Sequence, residues 1–174
     1  AYLLEEAKGK GAKIRLLGSG PILQYVREAA NILSDEYGVS PEVWSVTSYG
    51  EMRREGLATE RHTRLHPQDT KTPYAEQCFG DETPTVATSD HIAAIPEMIQ
   101  RWVGGRYVVL GTDGFGRSDS REALRSFFEI DTNSIVLAAL SALEQDGTMT
   151  AGTVDDAAAN LGVEREDLEK SLPN

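Results

Sequence analysis

An α/β fold, with a largely parallel sheet covered by helices on both faces, is the class this sequence predicts. Three observations predict it. Short apolar runs rich in β-branched residues alternate with stretches of helical periodicity. Two of these runs end in glycine-rich turns that lead towards a helix start. A hydrophobic content of 40% over 174 residues is enough for one domain with a sizeable core. Strands separated by helical connections pair in parallel, and such sheets are buried on both faces.

The elements follow in order. Tyr2 to Ala7 contains strong helix formers with no cap before it, and reads as the continuation of a preceding segment; residues 1–10 are expected to be the tail of a preceding domain or a linker. Lys13 to Leu17 is a strand, closed by Gly18-Ser19-Gly20-Pro21 with the proline suited to a first helical position. Ile22, Leu23, Val26, Ala29, Ala30, Ile32 and Leu33 then recur at helical spacing up to the stop signal Gly38. A second unit follows, with a strand from Glu42 to Tyr49 and a polar helix from Glu51 towards Glu60.

Arg61 to Asp81 breaks the rhythm with Pro67 and Pro73, so it reads as a long excursion with a short helix near Tyr74 to Cys78. Thr85 to Thr88 is a strand, Ile92 to Trp102 a helix, and Arg106 to Leu110 a further strand that runs into Gly111-Thr112-Asp113-Gly114-Phe115-Gly116. The tail is helical over 120–128, 133–145 and 154–161, with a short acidic stretch from Glu164 to Lys170. Thr153 with Asp156, and Asp119 with Glu122, have the spacing of a capping box.

Charge and composition exclude several classes. A formal charge of -11 repels phosphate backbones and anionic membrane surfaces, which argues against nucleic-acid and membrane partners. Cys78 is the only cysteine, so the chain forms no internal disulfide and no cysteine-based zinc cage, as expected of a cytoplasmic protein. No apolar stretch is expected to span a bilayer, which takes about 20 residues.

The glycine-rich turns carry the chemistry worth weighing. Gly18-Ser19-Gly20 presents backbone N–H groups, but position 23 is Leu where the dinucleotide fingerprint needs a third glycine, and no phosphate-binding lysine follows. The turn alone accounts for its glycines. In the stretch from Gly111 to Arg121, Asp113, Arg117, Ser118, Asp119 and Arg121 lie beside a helix start. Such a loop can hold an anion, pair with a neighbouring chain or satisfy itself, and a structural or interface role is favoured over a ligand site. His62 and His66 share a helical face but lack a third acidic ligand in pattern. Ser89, Asp90 and His91 have the residue types of a hydrolase triad, yet neighbours on an extended segment point apart. Asp90 is better placed to cap the next helix.

Taken together, Leu16 to Gly20, Trp44 to Tyr49, the Leu65-His66-Pro67 excursion and the block LGTDGFGRSDSR from Leu110 to Arg121 resemble one family. It is the C-terminal domain of the homodimeric-type first component of the pyruvate dehydrogenase complex. The similarity runs from about Tyr2 to the last residues, with His91 where an aromatic residue is common. The resemblance implies a three-layer α/β/α sandwich on a five-stranded, mostly parallel sheet with one antiparallel strand, as in the transketolase C-terminal domain. It also implies that residues 1–174 form a single domain, the C-terminal fragment of a longer enzyme.

In that family the full-length enzyme uses thiamin diphosphate and magnesium to decarboxylate pyruvate, and passes the acetyl group to a lipoyl group on the dihydrolipoyl acetyltransferase. Cofactor and catalytic residues belong to the upstream domains. The resemblance therefore implies no catalytic, cofactor-binding or metal residue in this fragment. Its expected partners are those upstream domains, the second subunit of a homodimer and the acetyltransferase of the complex. Asp113, Arg117, Ser118, Asp119 and Arg121 are the expected interface residues. Docking of the acetyltransferase core on acidic helices such as Glu164 to Lys170 is the alternative role, and a free-standing anion-binding domain built on Arg117 and Arg121 a weaker one.

Overall fold

A computed structural model describes residues 1–163; the expected acidic helix from Glu164 to Lys170 lies outside them. The strands are β1 (Tyr2–Glu5), β2 (Lys13–Gly18), β3 (Ser40–Ser45), β4 (Thr85–Thr88) and β5 (Tyr107–Leu110). The helices are α1 (Leu23–Tyr37), α2 (Tyr49–Leu65), α3 (Tyr74–Phe79), α4 (Ala94–Glu97), α5 (Arg121–Phe127), α6 (Thr132–Gln145) and α7 (Thr153–Leu161), with 3-10 turns at Gly20–Ile22 and Gln100–Trp102. The sheet has five strands in the order β1-β3-β2-β4-β5. β3, β2, β4 and β5 are parallel, and β1 runs antiparallel to β3.

Side-chain alternation along the central strands divides the interior in two. Ile14, Leu16, Val43 and Val86 face a core shared with Val26, Leu33, Val136 and Leu140 of α1 and α6. Leu17 and Ala87 face the opposite core, with Tyr49 and Met52 of α2, Phe79 of α3, Ile99 and Trp102. The result is three layers, helices on either side of one sheet.

Arg15 occupies a position on that second face and is only 2% exposed. Its guanidinium is hydrogen-bonded to the Glu42 carboxylate, Asp81 Oδ1 at 3.0 Å, Thr85 Oγ1 at 3.3 Å and the Phe79 carbonyl at 3.5 Å. It also lies 5.4 Å from the Phe79 ring centroid. A buried guanidinium is tolerated only when its donors are met, and here residues on three strands or loops meet them.

The structure departs from the sequence expectations at several elements, among them the strand expected from Glu42 to Tyr49, which ends at Ser45 while Tyr49 opens α2. Residues 2–5 are not helical: Tyr2 pairs with Ser45 and Leu3 with Trp44 as the edge strand of the sheet. The helix expected from Ile92 to Trp102 is broken into α4 and a 3-10 turn, and Ile92 is exposed. Pro96 in its middle lacks an N–H and disfavours an uninterrupted helix. α2 continues to Leu65 instead of fading near Glu60. Both capping boxes shift: Ser120, not Asp119, caps α5 by accepting from Ala123 N at 3.2 Å, and Gly152 holds the cap position of α7. Finally, the stretch Arg121–Gln145 contains an 18-residue window with a mean hydropathy of 1.2, apolar enough by composition to cross a membrane. In the fold it is two helices, separated by a turn in which Glu129 has φ 55, and Ile135, Val136, Leu140 and Leu143 are buried against α1 and the sheet.

Two outcomes follow from this packing. A Cβ added at Gly56 of α2 would lie 2.6 Å from the Trp102 ring, which is held by its Nε1–H donating to Glu60 at 2.8 Å. Gly56→Val should therefore cost about 1–3 kcal/mol, read by urea unfolding; an unchanged midpoint would mean that the ring can move aside. Burial raises the Asp81 carboxyl, but hydrogen bonds from Thr83 N and Arg15, with the Arg15 charge, outweigh it and hold the group below the ordinary 3.8. A carboxyl depressed on folding contributes stability that is full above its unfolded value and is lost as pH falls through the folded one. The melting-temperature gap between wild type and Asp81→Asn should be constant near neutral pH and close in acid, as pH falls through the folded value below 3.8. A gap that persists in acid would locate its origin elsewhere.

Candidate functional site

The parallel strands finish level. Gly18 at the end of β2 pairs with Ser45 of β3 and Thr88 of β4, and Thr88 pairs with Leu110 of β5. The four loops that follow therefore form one rim. Ser19 Oγ donates to Ser89 Oγ at 3.1 Å, joining the loops after β2 and β4. Ser89 Oγ also accepts from His91 N at 3.1 Å. Val46 N donates to the Gly18 carbonyl at 2.9 Å and ties the loop after β3 into the same rim.

Two glycines make this rim possible by close approach. A Cβ at Gly18 would sit 3.0 Å from the Leu23 backbone and the Val26 side chain, where α1 leaves β2. A Cβ at Gly111 would sit 2.5 Å from Ala93 N, where the loop after β5 meets the loop after β4. That contact is reinforced: Thr112 N donates to the His91 carbonyl at 2.9 Å, Thr112 Oγ1 to the Asp90 carbonyl at 3.0 Å, and Asp113 Oδ1 accepts from Ala93 N at 3.2 Å.

The expected interface residues do not converge on one point within the chain. Asp113 is the loop tie just described. Arg117 places its guanidinium 3.9 Å from the Phe127 ring centroid of α5. Asp119 accepts from Ser120 N at 2.7 Å, next to the α5 cap. Ser118 and Arg121 are exposed. Between them Phe115 is 75% exposed at the loop tip, beside Gly114 with φ 106. Its exposure was not foreseen in the sequence, where the residue reads only as part of the glycine-rich run.

Other candidates resolve into structural roles. His62 of α2 and His66, the non-helical residue just after it, bring their rings together with centroids 4.7 Å apart. His62 Nε2 is hydrogen-bonded to Asp69 Oδ2 at 2.9 Å, and that bond together with the Lys71 ammonium holds the Asp69 carboxyl below its ordinary range. Asp90 does not cap α4; its side chain is exposed at the rim. Cys78 is half-buried beside Tyr74, whose phenol is raised by a hydrogen bond with Cys78 and by burial. Among the described residues no group of three His, Cys, Asp or Glu side chains is placed to hold a metal ion.

Comparison with known proteins agrees with this architecture. The family model for the transketolase-like TK C-terminal domain matches residues 1–131. The chain is 49% identical over 169 residues to the pyruvate dehydrogenase E1 component of Pseudomonas aeruginosa, covering 95% of this chain and 19% of the relative. It is 44% identical over 173 residues to the E1 component of Escherichia coli K12, covering 98% of this chain and 19% of the relative. The chain thus spans about a fifth of the length of the curated relatives it matches. Transketolase from Leishmania mexicana superposes with a TM-score of 0.55 at 18% identity, covering 83% of this chain and 18% of the other, which supports the fold alone. With the family model matching most of its length and the expected five-stranded sheet in place, the chain belongs to the transketolase-like TK C-terminal domain family.

Proposed function

We propose that this chain is the C-terminal domain of a cytoplasmic, homodimeric pyruvate dehydrogenase first component, and that it frames and stabilises the enzyme without carrying its chemistry. The full-length enzyme decarboxylates pyruvate with thiamin diphosphate and magnesium held by the upstream domains, and acetylates the lipoyl group of the acetyltransferase. The observation that carries the reading is sequence identity of 49% across nearly the whole of this chain with a relative five times its length.

The surface supports the assignment. Tyr2, Leu3 and Leu4 of edge strand β1 are 63%, 41% and 48% exposed, and Phe115 stands out from the loop after β5. An open sheet edge bearing three consecutive large apolar side chains is a surface that proteins normally cover. The loop from Gly111 to Arg121 is anchored at its base by Thr112 and Asp113 and presents Phe115, Ser118 and Arg121 outward. In the full-length enzyme this loop packs on the upstream domains or the second subunit, with Phe115 as its apolar anchor and Asp113, Arg117 and Asp119 fixing its shape.

Phe115→Ala separates the two settings. In the isolated chain it should change stability by less than about 0.5 kcal/mol, because the ring is mostly in solvent. In the full-length enzyme it should weaken subunit or domain association about tenfold or more, measured by sedimentation. Association identical to wild type would remove the loop from the interface. Titration of the isolated chain with thiamin diphosphate and magnesium should give no heat, and pyruvate no dye reduction. Saturable binding with turnover would place the active site within these residues and overturn the reading.

A further inference from the structure

Two arginines among the described residues are buried, and they are provided for differently. Arg15, 2% exposed, has the carboxylates of Glu42 and Asp81. Arg125 of α5 is 8% exposed and has no carboxylate among the described residues. Even Glu122 and Glu129, within about a turn of it along the chain, form no ion pair with it. Among the described residues its guanidinium makes one hydrogen bond, from Nη1 to the Tyr25 hydroxyl of α1, and its Cζ lies 4.2 Å from the Tyr25 ring centroid.

A guanidinium withdrawn from water and left without a counter-charge is costly, which is why buried charges are normally paired. Nε and Nη2 of Arg125 have no acceptor, yet they are not enclosed. Among the described residues the fully enclosed side-chain atoms without a partner are the hydroxyls of Tyr49 and Thr88. The open edge of the group is therefore the Nε–Nη2 edge, whose parallel N–H bonds form the fork that a carboxylate accepts with both oxygens. Tyr25 holds the other nitrogen and supports the plane, so the fork is fixed before any acceptor arrives.

We propose that Arg125, positioned by Tyr25, is a recessed receptor for a carboxylate side chain on an acidic segment of a partner polypeptide. Charge selects that class. One guanidinium balances one carboxylate, whereas a free phosphate dianion brings excess charge to a chain of formal charge -11. Arg121, one turn earlier on the same face of α5, and Arg117, stacked on Phe127, likewise form no ion pair among the described residues. They add attraction for an acidic segment, and arginines in desolvated recesses are prominent among the residues that dominate protein interfaces. The missing counter-charge is a property of Arg125 itself and does not rest on the identity of the full-length enzyme.

The test is an NMR titration of this chain at constant ionic strength with a short capped peptide alternating glycine and glutamate, its glutamine counterpart and inorganic phosphate. Saturable shifts of the Arg125 Nε–H and the Tyr25 ring protons are expected with the glutamate peptide. Phosphate should bind about fivefold or more weakly, and the glutamine peptide not at all. Arg125→Met should abolish the response of the Tyr25 ring while leaving the melting temperature equal or higher, because it replaces an unpaired buried charge with an apolar side chain of similar length. Arg125→Lys decides independently: it keeps the charge, loses the fork, and should weaken the glutamate peptide about fivefold or more. The absence of saturable shifts, equal binding of the glutamine peptide or of phosphate, or a response that survives either substitution undiminished would each overturn the proposal.

Discussion

The structure depends on β2 being hydrogen-bonded along both sides. β3 pairs with it over six residues and β4 over four, so the apolar side chains of β2 are committed to one core or the other. Ile14 and Leu16 complete the core under α1 and α6, and Leu17 the core under α2 and α3. A register slip of one residue would exchange those faces and send Arg15 into the apolar core beneath α1. Arg15 thus acts as a register marker. Its partners Glu42, Asp81 and Thr85 exist only on the second face, and the desolvated guanidinium is tolerated only there.

Where sequence signals are local, they are legible. The strand, glycine turn and helix of residues 13–38 appear as read, down to Gly38 in the left-handed conformation at the end of α1. β4, α3, α6 and α7 also fall within a few residues of expectation. The failures occur where a distant partner decides. Leu3, Leu4 and Glu5 are good helix formers, but backbone pairing with Val43, Trp44 and Ser45 holds the segment as a strand. The helix after β4 fails for a local reason that the apolar spacing obscured, the proline at position 96.

Caps illustrate the same competition at a finer scale. Asp119 and Ser120 are both suitable cap residues. The Asp119 carboxylate accepts from the adjacent Ser120 N–H, leaving the Ser120 hydroxyl to accept from Ala123 N. At α7 the cap position is held by Gly152 at φ 93, a conformation costly for threonine, and the Thr153 hydroxyl instead donates to the Thr150 carbonyl.

The rim above the sheet was legible only in pieces. Gly18-Ser19-Gly20, Ser89 to His91 and the run from Gly111 stood out separately, each with an adequate local explanation. What the sequence does not display is the level ending of the strands, which brings Ser19 within 3.1 Å of Ser89, 70 positions away. Level endings follow from the parallel register. Divergent helices on the two faces then turn those endings into a crevice instead of a closed corner. Gly18 and Gly111 bring the loops and α1 this close because neither has a Cβ to hold them apart. The same geometry explains why the loop from Gly111 to Arg121 is firm at its base and open at its tip. Its first residues complete the rim, and Gly114 at φ 106 turns the chain outward, leaving the Phe115 residue 75% exposed among the described residues.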